Sequence, residues 1–240
     1  MRILLIGYGK MGQTIEKIAI ERGHEIVGRI AIENHDDLSL FSGDNVDVAI
    51  EFTQPEAAYE NLKYAAKNGI KVVCGTTGWL ENKPEIEQLV KENNTAFLYA
   101  SNFSIGVNVF FYLNKVLAKV MNPFKGYDVR MEEIHHTQKL DAPSGTAITL
   151  AEGIIENYSN KKNWVNNLST VEEELTIVSV REGQVPGTHT VWYNSEIDEI
   201  EIKHTAHNRN GFALGAVVAA EWIADKQGSF NMDDVLDIKL

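Results

Sequence analysis

The sequence has little cysteine, little positive charge and no long hydrophobic run. Cys74 is the single cysteine, so no intrachain disulfide can form and a reducing, cytoplasmic location is expected. The 22 lysine and arginine residues face 34 aspartate and glutamate residues, which gives a formal net charge of -12. This charge argues against nucleic acid or an anionic membrane as a partner, but it is compatible with a local pocket for a small anion.

The hydrophobic segments are short. Gly7 and Gly9 interrupt the apolar residues near the N-terminus, so no signal peptide is expected. The apolar stretch 212–220 ends at Glu221 and is too short to cross a bilayer. With 240 residues, of which 44% are hydrophobic, the chain is long enough for one large domain or two modest ones.

The N-terminal part of the chain alternates between apolar runs and helical patterns. Thr53 as N-cap, followed by Pro55 and Glu56, is typical of a capped helix start, and Gly69 marks the end of that helix near Lys67. Strands that alternate with helices predict a Rossmann-like, doubly wound parallel sheet of the α/β class. The strands are expected at 3–6, 25–31, 46–52, 71–74 and 96–99.

The pattern changes after about residue 103. Three strand-like segments follow one another without helices between them, which predicts a second, α+β domain with a mixed, largely open sheet. The connection near Ser101 is short, so a cleft between the two domains is the expected ligand site. In this region helices are expected at 107–120, 144–158 and 212–224, and strands at 127–134, 174–180, 189–193 and 199–204.

Residues 7–12 form a G-x-G-x-x-G motif where the first strand leads into a helix. Glycine allows a tight turn and a close approach of the backbone to a pyrophosphate, and the amides that begin the helix face the phosphates. Glu33 lies where an acidic residue would hold the ribose hydroxyl. A glycine-rich turn without a ligand is the alternative, which the strand-to-helix context disfavours. The motif comprises Gly7, Tyr8, Gly9, Lys10, Met11 and Gly12.

The residues near the ribose leave the choice between NAD and NADP open. Glu33 favours an unphosphorylated ribose, whereas Lys10, Arg29 and His35 are close enough in sequence to accept a phosphate. We therefore expect both NADH and NADPH to bind.

A second turn, Cys74 to Gly78, follows the fourth predicted strand. Ligands bind at the carboxyl ends of parallel strands, so Gly75, Thr76 and Thr77 are candidate contacts for the nicotinamide ring or its ribose. A simple turn is the alternative. Cys74 itself is expected to be a buried thiol rather than a nucleophile.

Residues 132–146 combine two histidines, a lysine and a helix start. His135 and His136 end a predicted strand and should point to opposite faces, so one of them is expected to be the main proton handler. Lys139 is a second acid or an anion clamp. The helix that begins after Pro143 offers free amides and the hydroxyls of Ser144 and Thr146, which together predict a carboxylate site.

Two other interpretations apply to this segment. Glu132, Glu133 and the histidines are metal-binding residue types, but neighbouring strand residues diverge and no metal-ligand spacing on a helix is present, so we predict no metal. A solvated strand end beside a capped helix is the other interpretation. The glycine loop upstream predicts a bound nicotinamide cofactor, which is a source of hydride. A hydride donor favours a role in proton transfer for the histidines.

With these motifs the chain resembles the dihydrodipicolinate reductase (4-hydroxy-tetrahydrodipicolinate reductase) family of the bacterial lysine and diaminopimelate pathway. The resemblance covers nearly the whole chain. The block from Glu133 to Ala147 is specific to this family, whereas the glycine loop is not. The other matching segments are 74–78, 102–108 and 187–189.

The resemblance implies hydride transfer from NADH or NADPH to a cyclic unsaturated dicarboxylate, giving tetrahydrodipicolinate and water. It implies that His135 handles a proton, that Lys139 is the second proton donor, and that His136, Gly145 and Thr146 contact the substrate. It adds Ala100, Ser101, Asn102 and Phe103 to the cofactor contacts. It also implies a homotetramer formed through the second sheet, and it assigns residues 1–103 and 213–240 to a dinucleotide-binding domain and residues 104–212 to a substrate-binding and oligomerisation domain.

The chain departs from the family pattern at the phosphate end of the cofactor. Many members have one more residue in the glycine loop, an arginine in place of Lys10, and another arginine in place of Asn34. These departures concern the preference for NAD or NADP, not the reaction. Two alternatives are an NAD(P)-dependent amino-acid dehydrogenase of the aspartate type and a non-catalytic dinucleotide sensor.

Overall fold

A computed structural model describes residues 1–208 and 210–238, which form two compact units. The first unit contains Met1–Ile105 and the described residues from Asn210 onward, and the second begins at Gly106. The domain boundaries predicted from the sequence, 103/104 and 212/213, differ from those of the structure by two and three residues. Among the described residues, the structure has no helix with the length and apolarity that a membrane span needs.

The first unit is built on a parallel sheet of six strands in the order β11-β5-β4-β3-β1-β2. The strands are β1 (Arg2–Ile6), β2 (Glu25–Ile30), β3 (Val48–Glu51), β4 (Lys71–Cys74), β5 (Ala96–Tyr99) and β11 (Gly228–Phe230). The helices are α1 (Lys10–Glu21), α2 (Pro55–Lys67), α3 (Lys83–Glu92), α6 (Asn210–Ile223) and α7 (Met232–Val235), with 3-10 segments at Ile32–Leu40 and Leu80–Asn82.

Both faces of this sheet are covered, as the continuous apolar strands predicted. On β1, Leu5 points into a core shared with α1 and α6, whereas Leu4 points into a core shared with α2 and α3. Helix α6 packs closely, because a side chain at Gly215 would lie 1.7 Å from the carbonyl oxygen of Phe103. Helix α6 thereby positions the segment that contains Phe103.

The second unit has a five-stranded sheet in the order β10-β9-β6-β8-β7. The pairs β6–β8 and β7–β8 are parallel, and β6–β9 and β9–β10 are antiparallel, so the predicted mixed sheet is confirmed. Helices α4 and α5 pack on one face, where they share a core with Leu175 and Val191. The elements are α4 (Ile105–Met121), β6 (Asp128–His135), α5 (Gly145–Asn157), β7 (Asn163–Val165), β8 (Glu174–Arg181), β9 (Gly187–Asn194) and β10 (Glu199–Ala206).

The predicted cap of α2 is wrong by one residue. The N-cap is Gln54, whose side chain makes no capping hydrogen bond, and Pro55 is the first helical residue. Thr53 does not cap the helix because its hydroxyl donates to the carboxylate of Glu51. The predicted end is confirmed, since Gly69 adopts a φ of 69° just beyond Lys67. Thr53 instead lies in the wall of a cavity beside the glycine loop.

Candidate active site

The glycine loop forms a tight cradle between β1 and α1. Gly7 has a φ of 98°, and a side chain there would lie 2.0 Å from the carbonyl oxygen of Phe52. Gly12 also requires glycine, because its side chain would lie 2.2 Å from the carbonyl oxygen of Gly7. At Gly9, the N-cap of α1, the position of a side chain is open space. The loop therefore exposes the first amides of α1 to an anion, as a bound pyrophosphate requires.

A cavity of about 410 Å³ adjoins this cradle. Its size and partly apolar lining suit the adenosine end of a dinucleotide. Glu33 lies in its wall, as the sequence predicted for a ribose contact. The lining residues are Ile6, Gly7, Tyr8, Gly9, Ile30, Ala31, Ile32, Glu33, His35, Phe52, Thr53, Gln54, Ala57 and Asn61.

The turn after β4 joins this site through Thr53. The hydroxyl of the buried Thr76 accepts a hydrogen bond of 2.8 Å from the Thr53 amide, and Gly75 lies against the ring of Phe52, where a side chain would approach within 2.3 Å. Thr77 is exposed. Cys74 is buried, and burial followed by the nearby Glu51 carboxylate raises the pKa of its thiol well above the ordinary value. These observations favour a structural thiol over a nucleophile.

The segment after β5 lies on the same side of the first unit as that turn. The Ala100 amide donates to the carbonyl oxygen of Cys74 over 3.3 Å, and the rings of Phe103 and Phe52 are 5.7 Å apart. Ser101 is exposed and Asn102 accepts a hydrogen bond from the Ser104 amide. The structure thus brings the Gly75–Thr76 turn and the segment 100–103 together around Phe52. Their contacts with a cofactor stay a prediction.

In the second unit, the carboxylate of Glu133 organises the predicted proton site. Glu133 is fully buried in β6 and accepts hydrogen bonds from the Ser144 amide at 3.1 Å, from the Ser179 hydroxyl at 2.7 Å and from Arg181 at 3.1 Å. Burial alone would raise the pKa of Glu133, but these donors and the neighbouring His135 outweigh it and hold the pKa well below the ordinary value. The carboxylate is therefore ionised at neutral pH.

His135 is the last residue of β6 and is 7% exposed. Its Nδ1 lies 3.3 Å from the Glu133 carboxylate, at ion-pair distance but without the alignment of a hydrogen bond. A side chain at Gly187 would lie 3.0 Å from the His135 Nε2, so glycine keeps space at that nitrogen. Because Glu133 faces Nδ1, Nε2 is the nitrogen best placed to hand on a proton.

The remaining predicted residues occupy the turn and the helix start that follow. His136 lies just outside β6 and is half-buried. The prediction that both histidines belong to the strand is therefore wrong for His136, because β6 ends at His135. The Lys139 ammonium makes hydrogen bonds of 2.8 Å to both carboxylate oxygens of Asp141. Gly145 is exposed in the first turn of α5 and Thr146 is half-buried beside it.

Three groups of the site were missed from the sequence: Ser179, Arg181 and a role for His189. Arg181 contacts Glu133 and also donates to the carbonyl oxygens of Lys139 and Asp141, which fixes the turn that carries the lysine. His189 lies opposite Glu133 in the β6–β9 register. Long-range strand pairings bring these three residues to the site. In the sequence, only His189 had a signal, because it belongs to the Gly187–His189 motif.

The residues that could hold a metal ion differ in part from those considered in the sequence, since His189 joins Glu133 and His135. Ligand atoms of Glu133, His135 and His189 lie within 4.8 Å of one another, and Glu132 is not among them. The Glu133 carboxylate already has a counter-charge in Arg181. A metal-free site therefore stays the prediction.

His189 is expected to make stability depend on pH. Its pKa is lowered to about 3 from 6.5, chiefly because burial disfavours the charged ring and because His135 lies next to it. As the pH falls below 6.5 the unfolded chain binds a proton that the folded chain excludes until about pH 3, so the free energy of unfolding falls across that window. Between about pH 7 and pH 5 we expect a loss of about 2 kcal/mol from this group.

Urea denaturation of the wild type and of His189→Gln at several pH values measures this effect. The glutamine variant should lose much of the pH dependence. Glu133, with its lowered pKa, contributes only below its ordinary value of 4.5. Burial also lowers the pKa of His204, but that histidine is present in both proteins, so the difference between their pH slopes above pH 5 reports His189. Equal pH slopes for the two proteins would contradict the assignment.

Known proteins similar to this chain agree with the fold and the motifs. The family model for the N-terminus of dihydrodipicolinate reductase matches residues 1–103, and the model for its C-terminus matches residues 106–236. A 4-hydroxy-tetrahydrodipicolinate reductase from Christiangramia forsetii is 55% identical over 238 residues, which are 98% of each chain. One from Archaeoglobus fulgidus is 35% identical over 266 aligned positions, covering 99% of this chain and 100% of the relative.

Solved structures show the same fold at lower identity. A dipicolinate-bound dihydrodipicolinate reductase from Paenisporosarcina sp. TG-14 superposes with a TM-score of 0.77 and 23% identity, covering 98% of this chain and 99% of that one. An amine dehydrogenase from Mycobacterium smegmatis gives a TM-score of 0.57 at 12% identity over 96% and 94% of the two chains. Since both family models together span almost the entire sequence, the chain belongs to the dihydrodipicolinate reductase family.

Proposed function

We propose that this protein reduces 4-hydroxy-tetrahydrodipicolinate to tetrahydrodipicolinate with NADH or NADPH, a step in lysine and diaminopimelate biosynthesis. One observation carries the proposal beyond family membership. The buried Glu133 carboxylate holds the strand end of His135, the start of α5 and Arg181 in one cluster. A proton donor and a set of helix amides that suit a carboxylate are thereby fixed next to each other.

The residues of the second unit have distinct roles in this proposal. The cofactor supplies a hydride, and the reaction also consumes a proton and releases water. His135 provides the proton from Nε2, with Glu133 as a positioning residue that faces Nδ1. The amides at Gly145 and Thr146, together with His136, bind a substrate carboxylate.

Lys139 has a separate task in this reaction. Its ammonium is neutralised by the exposed side chain of Asp141 and is held on a turn that Arg181 braces. An incoming dicarboxylate can replace Asp141 as its partner, since both present the same charged group. Lys139 then clamps the anion and serves as the second proton donor.

The residues of the first unit fit the nicotinamide cofactor. The open position at Gly9 and the close approaches at Gly7 and Gly12 leave the α1 amides accessible to a pyrophosphate. Lys10 begins α1 and is exposed beside them. We assign the ribose of the adenosine to Glu33, and the nicotinamide end to Thr76, Thr77 and the segment 100–103.

An assay with the purified protein tests the reaction. Loss of the reduced-nicotinamide absorbance should require the condensation product of pyruvate and aspartate semialdehyde, with either precursor alone as the control. Oxidation of aspartate with NAD, without turnover of the cyclic substrate, would favour the amino-acid dehydrogenase. Cofactor binding without any turnover would favour a sensor.

We further propose a cytoplasmic homotetramer formed through the sheet of the second unit. The face of this sheet opposite α4 and α5 carries Trp192, on which Arg130 stacks at 4.2 Å and from which a hydrogen bond of 2.8 Å reaches Glu201. Sedimentation equilibrium should give four times the chain mass of 26.8 kDa, and a monomer at micromolar concentration would contradict the proposal.

A further inference from the structure

The ribose end of the nucleotide cavity carries an acidic residue. Glu33 lies in the cavity wall on the 3-10 segment that follows β2, and its side chain is exposed to the cavity and solvent. Asp36 and Asp37 follow on the same segment and are exposed. A carboxylate at this place accepts hydrogen bonds from a ribose 2′-hydroxyl, and the Glu33 charge repels a phosphate on that oxygen.

Arg29, the strongest candidate cation near this site, is bound elsewhere. Its Nε donates to the Glu16 carboxylate over 2.8 Å, and its Nη2 contacts the same oxygen. The Tyr8 hydroxyl donates to the other oxygen of Glu16, and the guanidinium lies 5.8 Å from the centre of the Tyr8 ring. The ion pair and the stacked ring together hold the guanidinium on the α1 side of the loop.

The two residues after Glu33 also point away from a phosphate. The Asn34 side chain is folded back on its own backbone, where it accepts from the Ala31 amide at 2.7 Å and donates to the Arg29 carbonyl at 3.0 Å. His35 directs its Nε2 at the Asn61 amide oxygen, 2.9 Å away on α2. Asn34 is uncharged, and the His35 Nε2 is already engaged by a neutral acceptor.

Lys10 does not alter this balance. It is the first residue of α1, next to the pyrophosphate cradle. The pyrophosphate is common to NADH and NADPH, so a charge there strengthens the binding of both cofactors without distinguishing them.

We infer that this chain selects NADH over NADPH, because Glu33 occupies the 2′-position and no cation among the described residues lining the cavity is directed at a phosphate there. The inference rests on the proposed function and specifies its cofactor. It ranks the two cofactors, which the sequence left unranked while predicting that both bind. The departures from the family pattern at Lys10 and Asn34 are consistent with it.

Fluorescence titration of the protein with NADH and with NADPH, in the absence of substrate, tests the inference. At low ionic strength we expect the Kd for NADPH to be at least about tenfold higher than that for NADH. The ratio should shrink as salt screens the repulsion. Equal Kd values, or tighter binding of NADPH, would overturn the inference and leave the proposed reaction intact, whereas failure of both nucleotides to bind would overturn the proposed function itself.

The variant Glu33→Gln tests whether the carboxylate causes the selectivity. It should weaken NADH binding, because the amide is a poorer acceptor, and should strengthen NADPH binding, so that the ratio falls several-fold towards one. Glu81→Gln removes the same charge at an exposed position on a different segment and should leave the ratio unchanged. An unchanged ratio in Glu33→Gln, or an equal fall in Glu81→Gln, would contradict a role for Glu33.

Discussion

Replacing His135 by glutamine is expected to lower kcat by about a hundredfold or more while the Kd for NADH stays the same. Glutamine retains a polar group of similar size next to Glu133 but cannot release a proton near neutral pH. The nucleotide cradle is part of the first unit and does not involve this side chain. Steady-state turnover together with a fluorescence titration separates the two effects.

His207→Gln is the matched control, because His207 is an exposed histidine of the same unit. It should retain the wild-type kcat. If His135→Gln turns over at the wild-type rate, another group supplies the proton. If NADH affinity falls together with kcat, the variant has lost its fold.

Replacing Lys139 by alanine is expected to reduce kcat by about a hundredfold and to raise the KM for the dicarboxylate. The variant removes both a proton donor and the cation that binds the substrate. It also leaves Asp141, whose pKa the lysine ammonium now lowers, as an unbalanced negative charge near the anion. Substrate saturation curves with NADH held in excess provide both parameters.

Lys139→Arg separates the two roles of the lysine. A guanidinium keeps the positive charge, so KM should remain near the wild-type value, but it does not deprotonate in this pH range and kcat should stay low. Lys119→Ala removes an exposed lysine from α4 and should leave both parameters unchanged. Full recovery of kcat in Lys139→Arg would mean that the lysine only binds the anion.

The sequence was sufficient for the parts of the molecule that local patterns determine. The apolar runs predicted the central strands of the first unit, and the Ser144 cap of α5 follows from a serine before a helical pattern. The three-residue strands β7 and β11 were missed, because segments as short as Gly228–Phe230 carry no periodicity. Thr53 was misplaced because its hydroxyl bonds to Glu51 instead of capping the helix.

The site itself was only half visible in the sequence. His135 and Lys139 lie in one segment, but the groups that surround Glu133 come from three other elements. Arg181 meets His135 only through the β6–β8 register, and His189 meets Glu133 only through the β6–β9 register. A single sequence contains no direct record of strand register, which depends on packing across the whole sheet.

The return of α6 to the first unit has a consequence for the order in which the chain becomes structured during synthesis. Ala216, Val217 and Ala220 share a core with Ile3 and Leu5, which leave the ribosome first. The second unit is continuous in sequence up to β10, so all its strands are available while α6 is still being translated. The unit that contains the N-terminus therefore completes its core last. Until then the part of this sheet face that α6 covers, beside α1, is exposed and open to chaperones.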